Sequence, residues 1–371
     1  MNPAQKSEYF IGLMSGTSTD GVDGVIAHFP AQEPPKILAQ YSLPMPLRLR
    51  EEFLALNQAS DNELERSHLA ANELAKLYAQ CCQALLEQAK LSAEQITAIG
   101  AHGQTVRHRP DLGFTCQLNA PALLAELSGI DVVTDFRSRD VAAGGQGAPF
   151  APLLHHALFA SDQLNRVILN LGGIANITIL QADQPVRGFD TGPANVFMDM
   201  WAERHLNLSY DPQGAWGGSG HVQERLLNYW LSSESYFQQE PPKSTGRDLF
   251  NAAWLEEHLV GFSDISPVDI MATLRALTSH SIAQAIERHA GQIDELIVCG
   301  GGSRNTALME ELQSLLACPV RPIESYGIDS QAVESLAFAW LARAFVQCQA
   351  LNFPPLTGSR HPSIAGGFYP K

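Results

Sequence analysis

The chain has 371 residues, more than one hydrophobic core usually organises, so two domains are expected. Apolar residues make up 45% and charged residues 17%, a balance that excludes extended disorder. The formal charge of −15 repels phosphate backbones and anionic lipid, which argues against nucleic acid and membrane as partners but leaves open a small anion in a locally cationic cleft.

The opening residues MNPAQKSEYF contain no basic run followed by an apolar stretch, and no apolar run reaches the length of a bilayer span, so a cytoplasmic location is expected. Cys81, Cys82, Cys116, Cys299, Cys318 and Cys348 form no CxxC pair, which argues for buried thiols rather than metal ligands or disulfides. Tyr9 to Gly16 and Val25 to Phe29 are apolar runs around a wide polar tip, a hairpin pattern, and Lys36 to Leu43 extends the meander. Apolar spacing over 62–90 predicts a long amphipathic helix. Short strands at 96–101 and 131–135 each run into a polar segment, HGQTVRHRP and FRSRDVAAGGQGAP, and ligands of α/β sheets gather beyond such strand ends. Gly144 to Gly147 is the clearest break in composition, and a hinge is expected near it. The run VILNLGGIANITIL over 167–180 is a second hairpin with a glycine tip. A helix over 269–289 precedes a strand at 296–299, which leads into GGGS and a further helix. Residues 333–349 are apolar at a helical period and are expected to return the tail, 350–371, to the first domain.

Three of these connections have the composition of phosphate and nucleotide loops. In SGTSTDGVDG, the backbone and hydroxyls of Gly16, Thr17, Ser18, Thr19, Gly21 and Val22 can donate to phosphate oxygens, and Asp20 and Asp23 can hold Mg²⁺ through water. A plain polar hairpin loop is the other reading. NLGGIAN repeats the composition in the second half, with Asn170, Gly172, Gly173 and Asn176. CGGGSRN lies between a strand and a helix, where an adenosine can lie on the bare backbone of Gly300, Gly301 and Gly302 beside Asn305. No GxxxxGK[ST] occurs, and the twelve histidines show no metal-ligand spacing.

Two glycine hairpins followed by a glycine loop resemble the actin-like ATPase superfamily. The ordered blocks GLMSGTSTDGVD, GAHGQTVRHRP, TDFRSRDVAAGGQGAP, LNLGGIANIT, GFDTGPAN, PPKSTGRDLF and GGGSRN further resemble the anhydro-N-acetylmuramic acid kinase family over nearly the whole chain. Thr19 departs from the family's first block, where a Met is expected. The resemblance implies an α/β protein of two actin-like (ribonuclease H-like) domains, each a mixed five-stranded sheet flanked by helices, with an interdomain active-site cleft. Domain I is expected over 1–140 plus 350–371 and domain II over 141–349. It also implies ATP and Mg²⁺, a small sugar substrate and a homodimer. Exposed apolar residues around Trp216 and Tyr236 are the candidate interface.

The implied reaction phosphorylates O6 of 1,6-anhydro-N-acetylmuramic acid while water opens its bridge, within peptidoglycan recycling. Asp190 would take the proton of that water. Glu334 would be a second carboxylate at the sugar, or a solvated helix-start residue. His102 and Gln104 would offer neutral hydrogen bonds, and Asp135 and Arg137 charged ones. Arg137 or Arg139 would meet the lactyl carboxylate, or form structural ion pairs. Lys243 and Arg247 would contact phosphate or substrate, or simply belong to a surface loop. An ordinary sugar kinase acting on a free hydroxyl, and an ATP-regulated actin-like binding protein, remain as alternatives.

Overall fold

Two separate hydrophobic cores divide the chain, as its length requires. The computed structural model describes residues 8–16, 18–30 and 33–371, so Thr17 of the first loop lies outside the described residues. One compact unit takes the chain up to Leu154 together with Ala332–Lys371, and the other takes His155–Gln331.

Unit 1 opens with an antiparallel meander of β1 (Tyr9–Met14), β2 (Gly21–His28) and β3 (Lys36–Pro44). β2 starts ahead of the apolar run because buried Val22 and Gly24 already alternate with partly exposed Gly21 and Asp23. Gly21, Val22 and Asp23 are therefore strand residues, and the loop itself is confined to 15–20. The helix Glu63–Ala89 buries Ala70, Ala71, Leu74, Ala75, Tyr78, Cys81, Cys82 and Leu85, the three- and four-residue spacing of one helical face. β4 (Ile96–Ala101) lies parallel to β1. The polar segment after β4 forms a hairpin of its own, β5 (Gln104–Arg109) with β6 (Phe114–Leu118). β7 (Val132–Thr134) adds parallel to β4, and the helix Phe136–Ala142 follows at once. Gly144 to Gly147 themselves lie inside unit 1, where Gln146 N–H donates to Thr357 O (2.9 Å) and Gly147 N–H to Asp140 Oδ2 (2.8 Å), and the division between the units falls a little further on, after Leu154.

Unit 2 repeats the plan. β8 (Arg166–Leu171), β9 (Ile174–Leu180) and β10 (Arg187–Pro193) form an antiparallel meander, β11 (Glu295–Cys299) lies parallel to β8, and β12 (Val320–Pro322) lies parallel to β11. Its core gathers Val167, Leu169, Ile177, Phe197, Trp230, Leu274, Leu277 and Leu296 between the sheet and helices such as Pro267–His289.

The chain then returns to unit 1 with the helix Val333–Val346 and β13 (Gly367–Tyr369), which pairs antiparallel with β7. The unit 1 sheet therefore runs β13-β7-β4-β1-β2-β3, six strands where five were expected, and the unit 2 sheet runs β10-β9-β8-β11-β12. Apart from β13, the two sheets share one order: third, second, first, fourth and fifth strand. The helix Val333–Val346 belongs to unit 1, whereas the sequence-based boundary at 349 assigned it to the second domain. The reason is close packing on bare backbone. A Cβ added to Gly12 would lie 1.8 Å from Ser335 O, and one added to Gly100 would lie 2.0 Å from Phe338 O. Among the described residues no helix is long and apolar enough to cross a membrane. Tyr236 is buried and Trp216 half-buried against the core, so this pair is not an exposed apolar patch; Cys348 is the exposed thiol among the six cysteines.

Candidate active-site groups in the two units

In unit 1 the first loop rests on β4 and β5. Gln104 is 1% exposed, its Oε1 accepts from Ser15 Oγ (2.6 Å), and its Nε2 donates to Gly16 O (3.0 Å). His102 Nε2 accepts from Arg137 Nε (3.0 Å), which leaves the proton on Nδ1, facing Ser15 O at 3.4 Å. Burial, and next the Arg137 charge, push the His102 pKa down to about 3, so the ring is neutral. His102 and Gln104, the candidate neutral hydrogen-bonding groups for the sugar, thus also brace the first loop, and the His102 ring is bonded to Arg137. Thr19 closes that loop at φ 54°, an uncommon conformation for a β-branched residue, with its N–H donating to Gly16 O (3.1 Å).

Arg137 also donates from Nη1 to Gly147 O (2.7 Å) and lies 5.5 Å from the Phe150 ring centroid. Glu334 stands in the first turn of Val333–Val346, and its neighbour Ser335 donates from Oγ to Asp23 O (3.0 Å). Glu334 keeps an exposed surface, yet surrounding protein raises its pKa; Arg137 opposes that rise and Asp23 adds to it. Asp23, Arg137 and Glu334 therefore form one charge cluster, built by three distant segments. Asp23 Oδ1 accepts from Ser42 Oγ (2.5 Å), whereas Asp20 is exposed and pairs loosely with Arg50 at 3.7 Å. Asp135 and Arg139 are exposed, at the start and in the last turn of Phe136–Ala142. Among the described residues no group of three metal-ligating side chains occurs.

In unit 2, strand register brings three motifs into one row. Asp190 of β10 opposes Asn176 of β9, Asn176 opposes Asn170 of β8, and Asn170 opposes Cys299 of β11, next to Gly300. At the hairpin tip the carbonyls of Gly172 and Gly173 accept from the N–H groups of Ala194, Asn195 and Val196, which start the helix Asn195–Leu206. A Cβ on Gly173 or Gly301 would meet open space, whereas one on Gly300 (φ 84°) would lie 2.5 Å from Asn170 Oδ1 and 2.8 Å from Leu171 O. Gly300 is thus required by the close approach of two loops. Asn305 Oδ1 accepts from Leu308 N–H (3.0 Å), so this side chain caps the helix Thr306–Leu315.

Asp190 is half-buried and lies within β10. Burial raises its pKa, opposed by the Thr245 N–H, which donates to Oδ2 at 2.9 Å. Lys243 Nζ donates to Tyr236 O (3.1 Å), and Arg247 is exposed. Gly301, Gly302 and Asn305 of the third glycine loop wall a cavity of about 290 Å³ together with Asp199, Tyr210 and Arg304, which were not among the residues expected there. Burial pushes the pKa of Asp199 up to about 6, and Arg247 pulls against it. Asp199 follows Asn195 by one helical turn, a weak signal that lay just beyond the GFDTGPAN block.

Glycine hairpins at equivalent places in two sheets of one topology, with a third glycine loop walling a cavity, are the parts of a duplicated α/β nucleotide-binding protein of the actin-like class. The family model described as anhydro-N-acetylmuramic acid kinase matches residues 8–371. A protein of that name from Bordetella pertussis (strain Tohama I) is 55% identical over 363 residues, covering 97% of this chain and 96% of that one. Another from Bordetella avium (strain 197N) is 54% identical over 369 residues, covering 99% and 98%. Among solved structures, the activator of the 2-hydroxyisocaproyl-CoA dehydratase from Clostridium difficile aligns with 13% identity and a TM-score of 0.43 over 89% of this chain and 92% of that one. The chain belongs to the anhydro-N-acetylmuramic acid kinase family.

Proposed function

We propose that the protein is an ATP-dependent kinase that opens the 1,6-anhydro bridge of 1,6-anhydro-N-acetylmuramic acid with water and phosphorylates O6, serving peptidoglycan recycling in the cytoplasm. The observation that carries this reading is the family match over residues 8–371. In the reaction the water oxygen bonds to the anomeric carbon and the bond from that carbon to O6 breaks. O6 takes the γ-phosphoryl group as its bond to the β-phosphate breaks, and the water proton passes to a base. The products are N-acetylmuramic acid 6-phosphate and ADP. Coupling is chemically sensible because a departing alkoxide is a poor leaving group, and a phosphoryl group arriving at O6 removes the charge as it forms.

Asp190 is the proposed base. Its environment supports that role: one oxygen is held by Thr245 N–H, and burial raises its affinity for a proton. Adenosine would occupy the cavity beside Gly301 and Asp199, with phosphates toward Gly172 and Gly173. Mg²⁺ would arrive with ATP and keep most of its waters, with Asp20 and Asp23 of the first hairpin as its candidate carboxylates. Arg137, offset by the Glu334 charge, is the proposed partner of the lactyl carboxylate. A homodimer is a family-level expectation that sedimentation velocity would read directly.

The test is ADP release by purified protein with Mg-ATP and 1,6-anhydro-N-acetylmuramic acid, beside the free-hydroxyl sugar N-acetylmuramic acid. Turnover of the anhydro sugar is expected, falling by at least about a hundredfold in Asp190→Asn. Turnover of the free-hydroxyl sugar alone would leave an ordinary sugar kinase.

A further inference from the structure

We infer that Tyr236 and Lys243 are positioning residues that hold the Asp190 carboxylate at the angle its proton transfer needs. The inference rests on Asp190 as the base. Asp190 sits where β10 breaks register: Asp190 opposes Asn176, but Gly192, two residues on, opposes Ala175. Gly192 has φ 152°. A bulge of this kind re-aims side chains and interrupts the ladder at the residue whose direction matters.

The segment from Tyr236 to Thr245 replaces what the ladder does not supply. Asp190 N–H donates to Lys243 O (3.4 Å), Tyr236 Oη donates to Asp190 O (2.8 Å), and Thr245 N–H donates to Asp190 Oδ2 (2.9 Å). The main-chain N, the main-chain O and Oδ2 of Asp190 are therefore all held by residues 236–245, and Oδ1 is outside these bonds. Lys243 staples the segment to itself. Its Nζ donates to Tyr236 O (3.1 Å) and lies 4.7 Å from the Tyr236 ring centroid and 5.9 Å from that of Phe189, the residue before the base. A lysine in this arrangement spends its charge on the clamp rather than on a phosphate.

The test is a double-mutant cycle in the complete protein with Mg-ATP and the anhydro sugar. Tyr236→Phe keeps the ring and removes only the hydroxyl. It is expected to lower kcat by about tenfold with both KM values unchanged, and to cause no further loss in the Asp190→Asn background. Lys243→Met is expected to lower kcat similarly with the KM for ATP unchanged, and Lys243→Arg to restore most of it. An equal loss from Tyr236→Phe in both backgrounds would overturn the positioning role while leaving Asp190 as base. A rise in the KM for ATP at unchanged kcat in Lys243→Met would make Lys243 a phosphate ligand instead. Near-full activity of Asp190→Asn alone would overturn the base assignment, and the positioning role with it.

Discussion

A half-buried carboxylate costs the fold something, and Asp190 shows where. Its folded pKa is raised chiefly by burial, so the ionised form is disfavoured in the native state relative to the unfolded chain. The associated stability is present below the unfolded carboxylate range and is lost as pH rises through the folded pKa. At pH 7 the native protein therefore carries a strained charge. Asp190→Asn, whose amide oxygen can still accept from Thr245 N–H, is expected to be less active and more stable than the parent at pH 7, with the stability difference shrinking toward pH 4. Denaturant unfolding at the two pH values measures it, and an Asn variant that is less stable at pH 7 would contradict the account. The surroundings of the candidate residues were only partly legible in the sequence. The motif around Asp190 draws attention to it, but the polar atoms of His102 and Gln104 show no fixed partner in their own motif. Nothing near them in the chain says that Ser15 and Gly16, almost ninety positions away, claim those atoms.

At the scale of elements, two glycines decide where the last long helix lies. Gly12 in β1 and Gly100 in β4 present bare backbone to Val333–Val346, and that approach fixes Ser335 against Asp23 and Glu334 beside Arg137. Gly12→Ala would place a methyl 1.8 Å from Ser335 O and 2.6 Å from Ala339 N, both backbone atoms of the helix. It is expected to destabilise the protein by about 3 kcal/mol or more and to depress kcat, because the helix must lift and carry Glu334 with it. A thermal midpoint within a degree or two of the parent would show the packing to be looser than described. Elements that are near-continuous apolar runs, such as β1, β8 and β9, were legible from their pattern. The β5–β6 hairpin was not, because few of its residues are buried and HGQTVRHRP reads as loop, although Gln104 and Val106 alternate inward. β13 is three residues long, too short for any period to register.

At the scale of the molecule, one plan is used twice, and that duplication was visible as two glycine hairpins before any sheet was known. The sixth strand and the boundaries near Leu154 and Ala332 were not, because both depend on which core the C-terminal segments join rather than on local composition. The same division has a consequence for synthesis. Unit 2 is one uninterrupted stretch, His155–Gln331, whereas unit 1 is begun first and finished last. A nascent chain emerging from the N-terminus must expose β1 and β4, with their uncovered glycine faces, until the helix Val333–Val346 has been made. The second-made unit should therefore be the first to fold. A chain stopped after Gln331 is expected to yield a protease-resistant fragment spanning about 155–331 while residues 8–154 are digested. Equal protection of both halves would mean that the early strands find another cover. If the expectation holds, the N-terminal half depends on chaperones through most of translation, and late truncations will be lost to aggregation before any question of catalysis arises.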